Sequence, residues 1–296
     1  MTLEQLRVFI AVAELEHMTR AARQLNLTQS AASAAIAALE SRYATKLFDR
    51  VGRNIALTPA GRMFLPEARA VMARAKAAEL VLADLAGLRV GSLSLAASQT
   101  AGNYWLPEII KQFHTLYPGI SVSLVIDNTA AVASLVLKGE ANIGFVEGKV
   151  DQPALKIDLV AEDDMVLVVA PDHAWAKLRK RTIPDFSSTQ WVTREPGSGT
   201  RAMLATMLDQ QDINLDKLNG ALTLPSNEAV RAAVESGAGA AVLSRRVVES
   251  SIEAGKLVAL NYPLEKRHFM MLRHESRYAT TVETEFAKLI RKRGVQ

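Results

Sequence analysis

Two short segments with hydroxyl side chains stand where strand candidates give way to helices. Ser98-Gln99-Thr100 follows one apolar strand candidate, and Ser198-Gly199-Thr200 follows another. The amino terminus of a helix presents unpaired N–H groups and a partial positive charge, so hydroxyls placed there suit a small anion. Ordinary helix capping accounts for the hydroxyls of either segment on its own, but it does not explain why both segments lie at strand ends. We predict an anion site formed by Ser98, Gln99, Thr100, Ser198, Gly199 and Thr200.

An acidic residue, Glu147, ends a third strand candidate that points toward the same site. A carboxylate there repels an anion unless Arg194 or Arg201 pairs with it, or unless it accepts a hydrogen bond from a protonated ligand. The sequence does not decide between these alternatives, and Glu147 is therefore one of the candidate ligand-binding residues.

A second group of polar residues lies in a short helix near the amino terminus. Gln29, Ser30 and Ser33 follow Thr28, which caps that helix. In a helix that enters the major groove, the glutamine amide is suited to adenine, whereas Ser30 alternatively assists the cap. Two arginines surround a nearby Gly/Asn turn and suit phosphates or a narrow minor groove, with simple solvent exposure as the alternative. The predicted DNA-binding residues are Thr28, Gln29, Ser30, Ser33, Arg50 and Arg53.

Several classes of chemistry are absent from the sequence. There is no cysteine, which excludes disulfides, thiol catalysis and cysteine-ligated metals. The five histidines stand singly, and neither a Ser–His–Asp order, a Gly-x-Ser-x-Gly elbow nor a phosphate-loop motif occurs. We therefore expect no catalytic residue, cofactor or metal. The alternative is an enzyme that carries out its chemistry in a cleft of the α/β part of the chain.

The positive charge is concentrated in the first third of the chain. The 296 residues contain 35 Lys and Arg and 31 Asp and Glu, a net charge of +4. Residues 1–90 hold 12 basic and 8 acidic residues, which leaves 23 of each in the remainder. A basic segment suits either a solvated face or a polyanion-binding surface. Since neither a signal-peptide pattern nor a membrane-length apolar run is present, a cytoplasmic protein without membrane contact is expected.

Local signals in residues 1–58 predict a winged helix-turn-helix. Apolar residues from Leu3 to Ala13 recur at helical spacing, Thr19 is expected to cap a second helix, and Asn26 suits the positive φ of a tight turn. A third helix runs from Thr28, and a hairpin around residues 51–54 supplies the wing. Pattern alone leaves an ordinary α-hairpin as the alternative.

Thr58-Pro59 predicts the start of a long helix over residues 59–90. Apolar residues in it recur at alternating spacings of four and three, which favours packing between two copies of the helix over packing on its own domain. These residues are Phe64, Ala68, Val71, Ala75, Ala78, Leu82 and Leu85.

Strand and helix patterns alternate over residues 91–296 and predict an α/β domain with a parallel sheet and crossover helices. The pattern restarts near Met165, which predicts two lobes. The last strand and helix are expected to return to the first of them. We expect lobe I to comprise residues 91–163 and 267–296, and lobe II residues 164–266. A cleft at the carboxyl ends of the strands is where such sheets bind ligands.

The same residues resemble a known family. The run from Thr19 to Ser33, followed by Leu47-Phe48-Asp49-Arg50 and Leu57-Thr58-Pro59-Ala60-Gly61, closely resembles the amino-terminal domain of LysR-type transcriptional regulators. Residues 97–107, 144–148 and 194–201 are similar to the branch that contains regulators of carbon fixation and sulfur assimilation.

The resemblance implies a winged helix-turn-helix, a linker helix and a two-lobed effector domain shaped like periplasmic binding proteins. It also implies a homotetramer, arranged as a dimer of dimers, that binds promoter DNA and RNA polymerase and responds to a small metabolite. A sulfite- or sulfate-like oxyanion is the favoured effector, with an organic acid or a phosphorylated metabolite as the alternative. Many members of the family carry a basic or amide side chain just after the serine equivalent to Ser33, where this sequence has Ala34 and Ala35. Direct contacts to bases are therefore expected mainly from Gln29, Ser30 and Ser33.

Overall fold

The computed structural model describes residues 1–51, 54–85, 91–178, 185–215 and 221–293. Apart from Lys138–Glu140, the chain divides into two compact units, with the boundary between Ala86 and Gly87. No helix within the described ranges is long and apolar enough to cross a membrane.

The first unit contains four helices and a hairpin among its described residues. In chain order the elements are α1 (Leu3–Leu15), α2 (Met18–Gln24), α3 (Gln29–Arg42), β1 (Phe48–Val51), β2 (Asn54–Leu57) and α4 (Pro59–Leu85). The two strands are antiparallel, with Phe48 opposite Leu57. The predicted helix-turn-helix and hairpin are therefore present.

Local capping sets the helix boundaries of this unit. The Thr28 hydroxyl accepts from the backbone N–H of Ala31 at 3.2 Å, as predicted, and Asn26 has a φ of 56°. The prediction that Thr19 caps α2 is wrong, because His17 is the cap and its Nδ1 accepts from the N–H of Arg20.

The core of the first unit gathers around Phe9. The rings of Phe48 and Phe64 lie 5.3 and 5.0 Å from the Phe9 ring, which joins the hairpin and α4 to α1. Gly61 allows α4 to approach the chain before β1, since a Cβ there would lie 2.1 Å from the Leu47 carbonyl oxygen. Any larger residue at position 61 would force these elements apart.

The apolar pattern of α4 serves two purposes. Phe64 and Ala68 pack against the core of their own unit, so the expectation that they belong to a seam between two copies is corrected. Further along the helix, Val71 and Leu82 are 41% and 69% exposed. The exposed part of the pattern therefore begins at Val71.

The second unit alternates strands and helices. Its described elements are β3 (Gly91–Ser98), α5 (Leu106–Leu116), β4 (Ile120–Asp127), α6 (Thr129–Lys138), β5 (Ile143–Glu147), β6 (Leu155–Asp163), β7 (Met165–Val169), β8 (Val192–Arg194), α7 (Gly199–Asp209), β9 (Leu222–Leu224), α8 (Asn227–Glu235), β10 (Ala241–Ser244), α9 (Arg245–Glu253), β11 (Val258–Leu260), β12 (Arg267–His274) and α10 (Thr281–Arg293). A π-helical segment, Ala101–Trp105, precedes α5.

The sheet of the first lobe has the order β4-β3-β5-β12-β6. The strands β4, β3 and β5 are parallel, as predicted, but β12 inserts antiparallel between β5 and β6. The expectation of a wholly parallel sheet is therefore wrong. The physical reason is that β6 leaves this lobe and β12 returns to it, so each runs opposite to a neighbour.

The second lobe is built on the antiparallel sheet β10-β7-β11 and the parallel pair β8-β9. A parallel bridge between Trp191 and Ala240 links the pair to β10. Because β6 ends at Asp163 and β7 begins at Met165, the chain crosses between the lobes within a single residue. It crosses back just before β12, which places Asp163 and Arg267 at the junction.

Candidate DNA-binding surface and effector cleft

The start of α3 presents a polar, exposed surface. Thr28, Gln29 and Ser30 are exposed, whereas Ser33 is half-buried one turn further on. The Thr28 and Ser30 hydroxyls lie 3.0 Å apart and share a hydrogen bond, so Ser30 supports the cap. Gln29, the predicted base reader, is exposed in the first turn of α3.

Glu40 fixes the hairpin against the other end of α3. Its carboxylate accepts from the backbone N–H groups of Leu47 (2.8 Å) and Phe48 (3.2 Å) and from Lys46 Nζ at 2.8 Å. Burial alone would raise the pKa of Glu40, but these hydrogen bonds outweigh it and lower the pKa. The charged carboxylate therefore holds the start of the hairpin beside α3.

The two arginines that were predicted to contact phosphates, Arg50 and Arg53, have no described side chains. The side chain of Arg50 and the whole of Arg53 lie outside the described residues, so their contacts remain a prediction. On α2, Arg20 and Arg23 are exposed and add positive charge to this unit.

In the second unit, the end of β3 carries buried hydroxyls. Ser98 and Thr100 are 3% and 1% exposed. The Ser98 hydroxyl has no hydrogen-bond partner among the described residues. Thr100 Oγ1 accepts from Asn227 Nδ2 at 3.1 Å, and this leaves the hydroxyl proton of Thr100 available to a ligand.

Gln99 links the two lobes. Its Nε2 donates to the Pro225 carbonyl at 3.0 Å, and its Oε1 accepts from the backbone N–H of Asn227 at 2.9 Å. With both ends of the amide occupied, Gln99 holds the start of α8 against the end of β3. Tyr104 adds a second link, because its hydroxyl donates to Glu228 at 2.9 Å.

The start of α7 faces the end of β5. Ser198 caps α7 by position, is 6% exposed and makes no side-chain capping bond. A Cβ at Gly199 would lie 2.1 Å from the Glu147 carbonyl oxygen, so only glycine permits this approach. Thr200, 5% exposed, accepts from Arg267 Nη1 at 3.2 Å, which again leaves the hydroxyl proton available.

Glu147 lies beside this pair of segments and is 2% exposed. Its Oε1 lies 3.7 Å from Arg267 Nη2, and its Oε2 has no hydrogen-bond partner among the described residues. The suggested pairing with Arg194 or Arg201 is therefore wrong. Arg194 instead donates to Glu195 and to Asn227 Oδ1, while Arg201 donates to the Arg194 carbonyl.

Sequence reasoning missed the residue that joins these groups. Arg267 is 4% exposed, binds Asp163 through Nε (2.9 Å) and Nη2, and contacts Glu147 and Thr200. Asn227, which bridges Thr100 and Arg194, was also missed. No local signal marks Arg267, since its strand also contains two histidines and a second arginine.

A cavity of about 590 Å³ opens next to this cluster, between α6 of the first lobe and α7 of the second. Ser198 and Gly199 border it, as do two cationic side chains, Lys149 and Arg201. Among the other predicted residues, Ser98, Thr100, Glu147 and Thr200 lie buried in the polar cluster rather than along this cavity. Together the cluster and the cavity form the candidate effector cleft.

Comparison with known families decides the assignment. Residues 3–62 match "Bacterial regulatory helix-turn-helix protein, lysR family", and residues 86–294 match "LysR substrate binding domain". The chain belongs to the LysR family of transcriptional regulators. This LysR-type regulator is accordingly a DNA-binding regulator with an effector-binding domain, and not an enzyme.

Curated relatives agree over almost the whole chain. The uncharacterized regulator YeiE of Escherichia coli (strain K12) is 33% identical over 287 residues, covering 96% of this chain and 95% of the relative. A probable RuBisCO transcriptional regulator of Cyanidioschyzon merolae is 32% identical over 292 residues (97% and 96%). CysL of Bacillus subtilis is 32% identical over 265 residues (88% of both). The expected resemblance to the carbon-fixation and sulfur-assimilation branch is confirmed.

Solved structures show the same fold. Full-length CbnR complexed with its target DNA has a TM-score of 0.72 at 22% identity and covers 99% of both chains. The regulatory domain of Synechocystis PCC6803 CcmR in complex with 2-PG has a TM-score of 0.63 at 24% identity, covering 69% of this LysR-type regulator and 97% of CcmR. The predicted helix-turn-helix and two-lobed α/β domain are thereby confirmed.

Proposed function

We propose that this LysR-type regulator changes its promoter binding when a small oxyanion occupies the cleft. Residues 1–58 bind DNA, residues 59–90 join two copies, and residues 91–296 bind the effector between a first lobe (91–163 and 267–296) and a second (164–266). RNA polymerase is the further partner.

The observation that carries the effector proposal is the hydroxyl of Ser98. A buried hydroxyl without a partner loses about 1 to 3 kcal/mol of hydrogen-bonding free energy, and a ligand that accepts from it recovers this loss. Thr100 and Thr200 supply two more hydroxyl protons nearby. Three buried hydroxyl donors, one of them beside the Arg267 guanidinium, suit an oxyanion of the sulfite or sulfate class.

Glu147 refines the class of anion. Its Oε2 is buried and lacks a donor among the described residues. Because hydrogensulfite carries a proton and sulfate at neutral pH does not, the carboxylate accepts from the former and repels the latter. We therefore favour a protonated oxyanion, with sulfite as the leading candidate.

The cavity favours a second candidate of larger size. A volume of about 590 Å³ beside Lys149 exceeds what an inorganic oxyanion fills, and the structurally similar CcmR domain is in complex with 2-PG. A phosphorylated metabolite or an organic acid would place its anionic group on the hydroxyls and its body in this cavity.

Dimerisation through the linker rests on the exposed apolar residues Val71 and Leu82. Apolar side chains at heptad spacing on one exposed helix face pair with the same face of another copy. Two copies then present two α3 helices to successive half-sites, so the protein's symmetry matches that of its DNA.

Calorimetry with sulfite, sulfate and 2-PG on the full chain tests the effector proposal. Ser98→Ala removes a hydroxyl that holds nothing in the free protein, so it should weaken effector binding by about 1.5 to 3 kcal/mol and leave stability unchanged or slightly raised. Ser251→Ala is the matched control: it breaks the 2.5 Å bond from Ser251 to Glu235 in the second lobe, so it should lower stability and leave affinity unchanged. If Ser98→Ala binds every probe as the wild type does, the effector lies elsewhere.

A further inference from the structure

A second, smaller cavity lies in the first lobe, at the sheet edge where β5 and β6 begin and β12 ends. Its volume is about 160 Å³, and this edge is opposite to the one that carries Glu147. Basic side chains dominate the lining, together with an amide and two carboxyls. Those that matter here are Asn142, Lys156, Arg273, Arg277, Glu275 and Glu283.

Two like charges face each other across the strands at this cavity. Lys156 of β6 is the cross-strand neighbour of Arg273 of β12, an arrangement that is destabilising unless something of opposite charge lies between them. Arg273 Nη2 donates to Asp158 at 2.8 Å, but its buried Nε has no hydrogen-bond partner among the described residues. Lys156 is exposed and makes no ion pair within the described ranges.

The buried carboxyl of Glu283 does not cancel this positive charge. It accepts from Asn142 Nδ2 at 2.8 Å and is 6% exposed. Burial raises the pKa of Glu283 to about 7, against the opposing influence of Arg277 and Asn142. A large share of the molecules therefore carries a neutral Glu283 near neutral pH.

We propose that this pocket binds a phosphate group, either inorganic phosphate or the phosphoryl end of a small metabolite. Arginine donors and a nearby lysine recognise a tetrahedral oxyanion through several charge-assisted hydrogen bonds at once. A volume of about 160 Å³ admits one such group, while any organic part would extend past the exposed Lys156. This site is independent of the effector cleft.

Calorimetry with inorganic phosphate and with glycerol phosphate tests the proposal on the full chain carrying Ser98→Ala, which weakens anion binding in the cleft. We expect one site with a dissociation constant of about 1 mM or lower. Adding Lys156→Glu should weaken binding at least tenfold, whereas Lys111→Glu, the same change at an exposed position on α5, should leave it unchanged. Whichever probe binds more tightly identifies the source of the phosphate group.

A third variant predicts a change of opposite sign. Glu283→Gln removes the charge but keeps an oxygen to accept from Asn142, so it should tighten phosphate binding at pH 8. The proposal is overturned if neither probe binds in the millimolar range, or if Lys156→Glu binds phosphate as Lys111→Glu does. Neither result would touch the effector proposal, because that one is read from Ser98→Ala against the wild type.

Discussion

Replacing Glu147 by glutamine should reverse the anion preference of the effector cleft. The carboxylate is 2% exposed, one oxygen lies 3.7 Å from Arg267, and the other has no partner among the described residues. Arg267 is already bound by Asp163 and lies 3.7 Å from Glu147, so its guanidinium only partly offsets the field of the Glu147 carboxylate. At an effective dielectric of about 20, a unit charge some 4 Å away repels a bound anion by about 4 kcal/mol, or by twice that for a dianion.

Glutamine removes this repulsion and adds an N–H donor. A hydrogen bond to a charged group contributes about 1.5 to 3 kcal/mol, which alone tightens sulfate binding roughly 10- to 150-fold. The lost repulsion adds to this gain, so this range is the smallest effect that we expect for Glu147→Gln. Hydrogensulfite should gain much less than sulfate, because it carries half the charge and exchanges a hydrogen bond to a carboxylate for a weaker one to an amide oxygen.

The assay is calorimetry at pH 7 with sulfate and sulfite, and the binding event that counts is the one that Ser98→Ala weakens. Glu162→Gln makes the same chemical change at an exposed position paired with Lys266, and it should leave both affinities unchanged. If Glu147→Gln keeps the wild-type order of affinities, the carboxylate does not select the protonated anion and the reasoning fails.

Three further predictions concern other parts of the chain. Gln29→Ala should weaken DNA binding by about 1 to 3 kcal/mol, and only through the loss of preference at one base pair. If the sequence preference is unchanged in competition with variant sites, Gln29 does not contact a base. Val71→Asp with Leu82→Asp should give monomers by sedimentation with the helical circular dichroism retained, and persistent dimers would disprove the linker interface. The pKa of Glu283 rises from 4.5 to about 7 on folding, so between these pH values the native state holds a proton that the unfolded chain has lost. The free energy of unfolding should therefore fall by about 3 kcal/mol as pH rises from 4.5 to 7. Urea titrations of Glu283→Gln should lack this dependence on pH.

Local chemistry explains which elements could be predicted. The Thr28 cap, the positive φ at Asn26 and the Thr58-Pro59 helix start each depend on neighbours within a few residues, so the sequence alone reveals them. The cap of α2 escaped prediction because histidine is not among the preferred capping residues. These signals were sufficient for the helix-turn-helix and the linker helix.

Long-range pairing explains what could not be predicted. The insertion of β12 between β5 and β6 depends on partners about a hundred residues apart, and no local pattern encodes it. The same holds for Arg267, which meets Asp163 only because the chain crosses between the lobes twice. The buried hydroxyls could be picked out from the strand ends, whereas Arg267, which contacts Glu147 at 3.7 Å, could not.

The most direct test of the account is fluorescence anisotropy of the full chain on an operator selected from random duplex DNA, with and without sulfite. We predict that sulfite changes the operator affinity of the wild type by about 5- to 150-fold, the usual range of coupling between two sites. Ser98→Ala should bind the operator as the wild type does without effector, and it should need roughly 10- to 150-fold more sulfite for the same response. An equal response in both proteins, or no response of the wild type to sulfite, sulfate or 2-PG, would contradict the proposal that an anion in this cleft controls DNA binding.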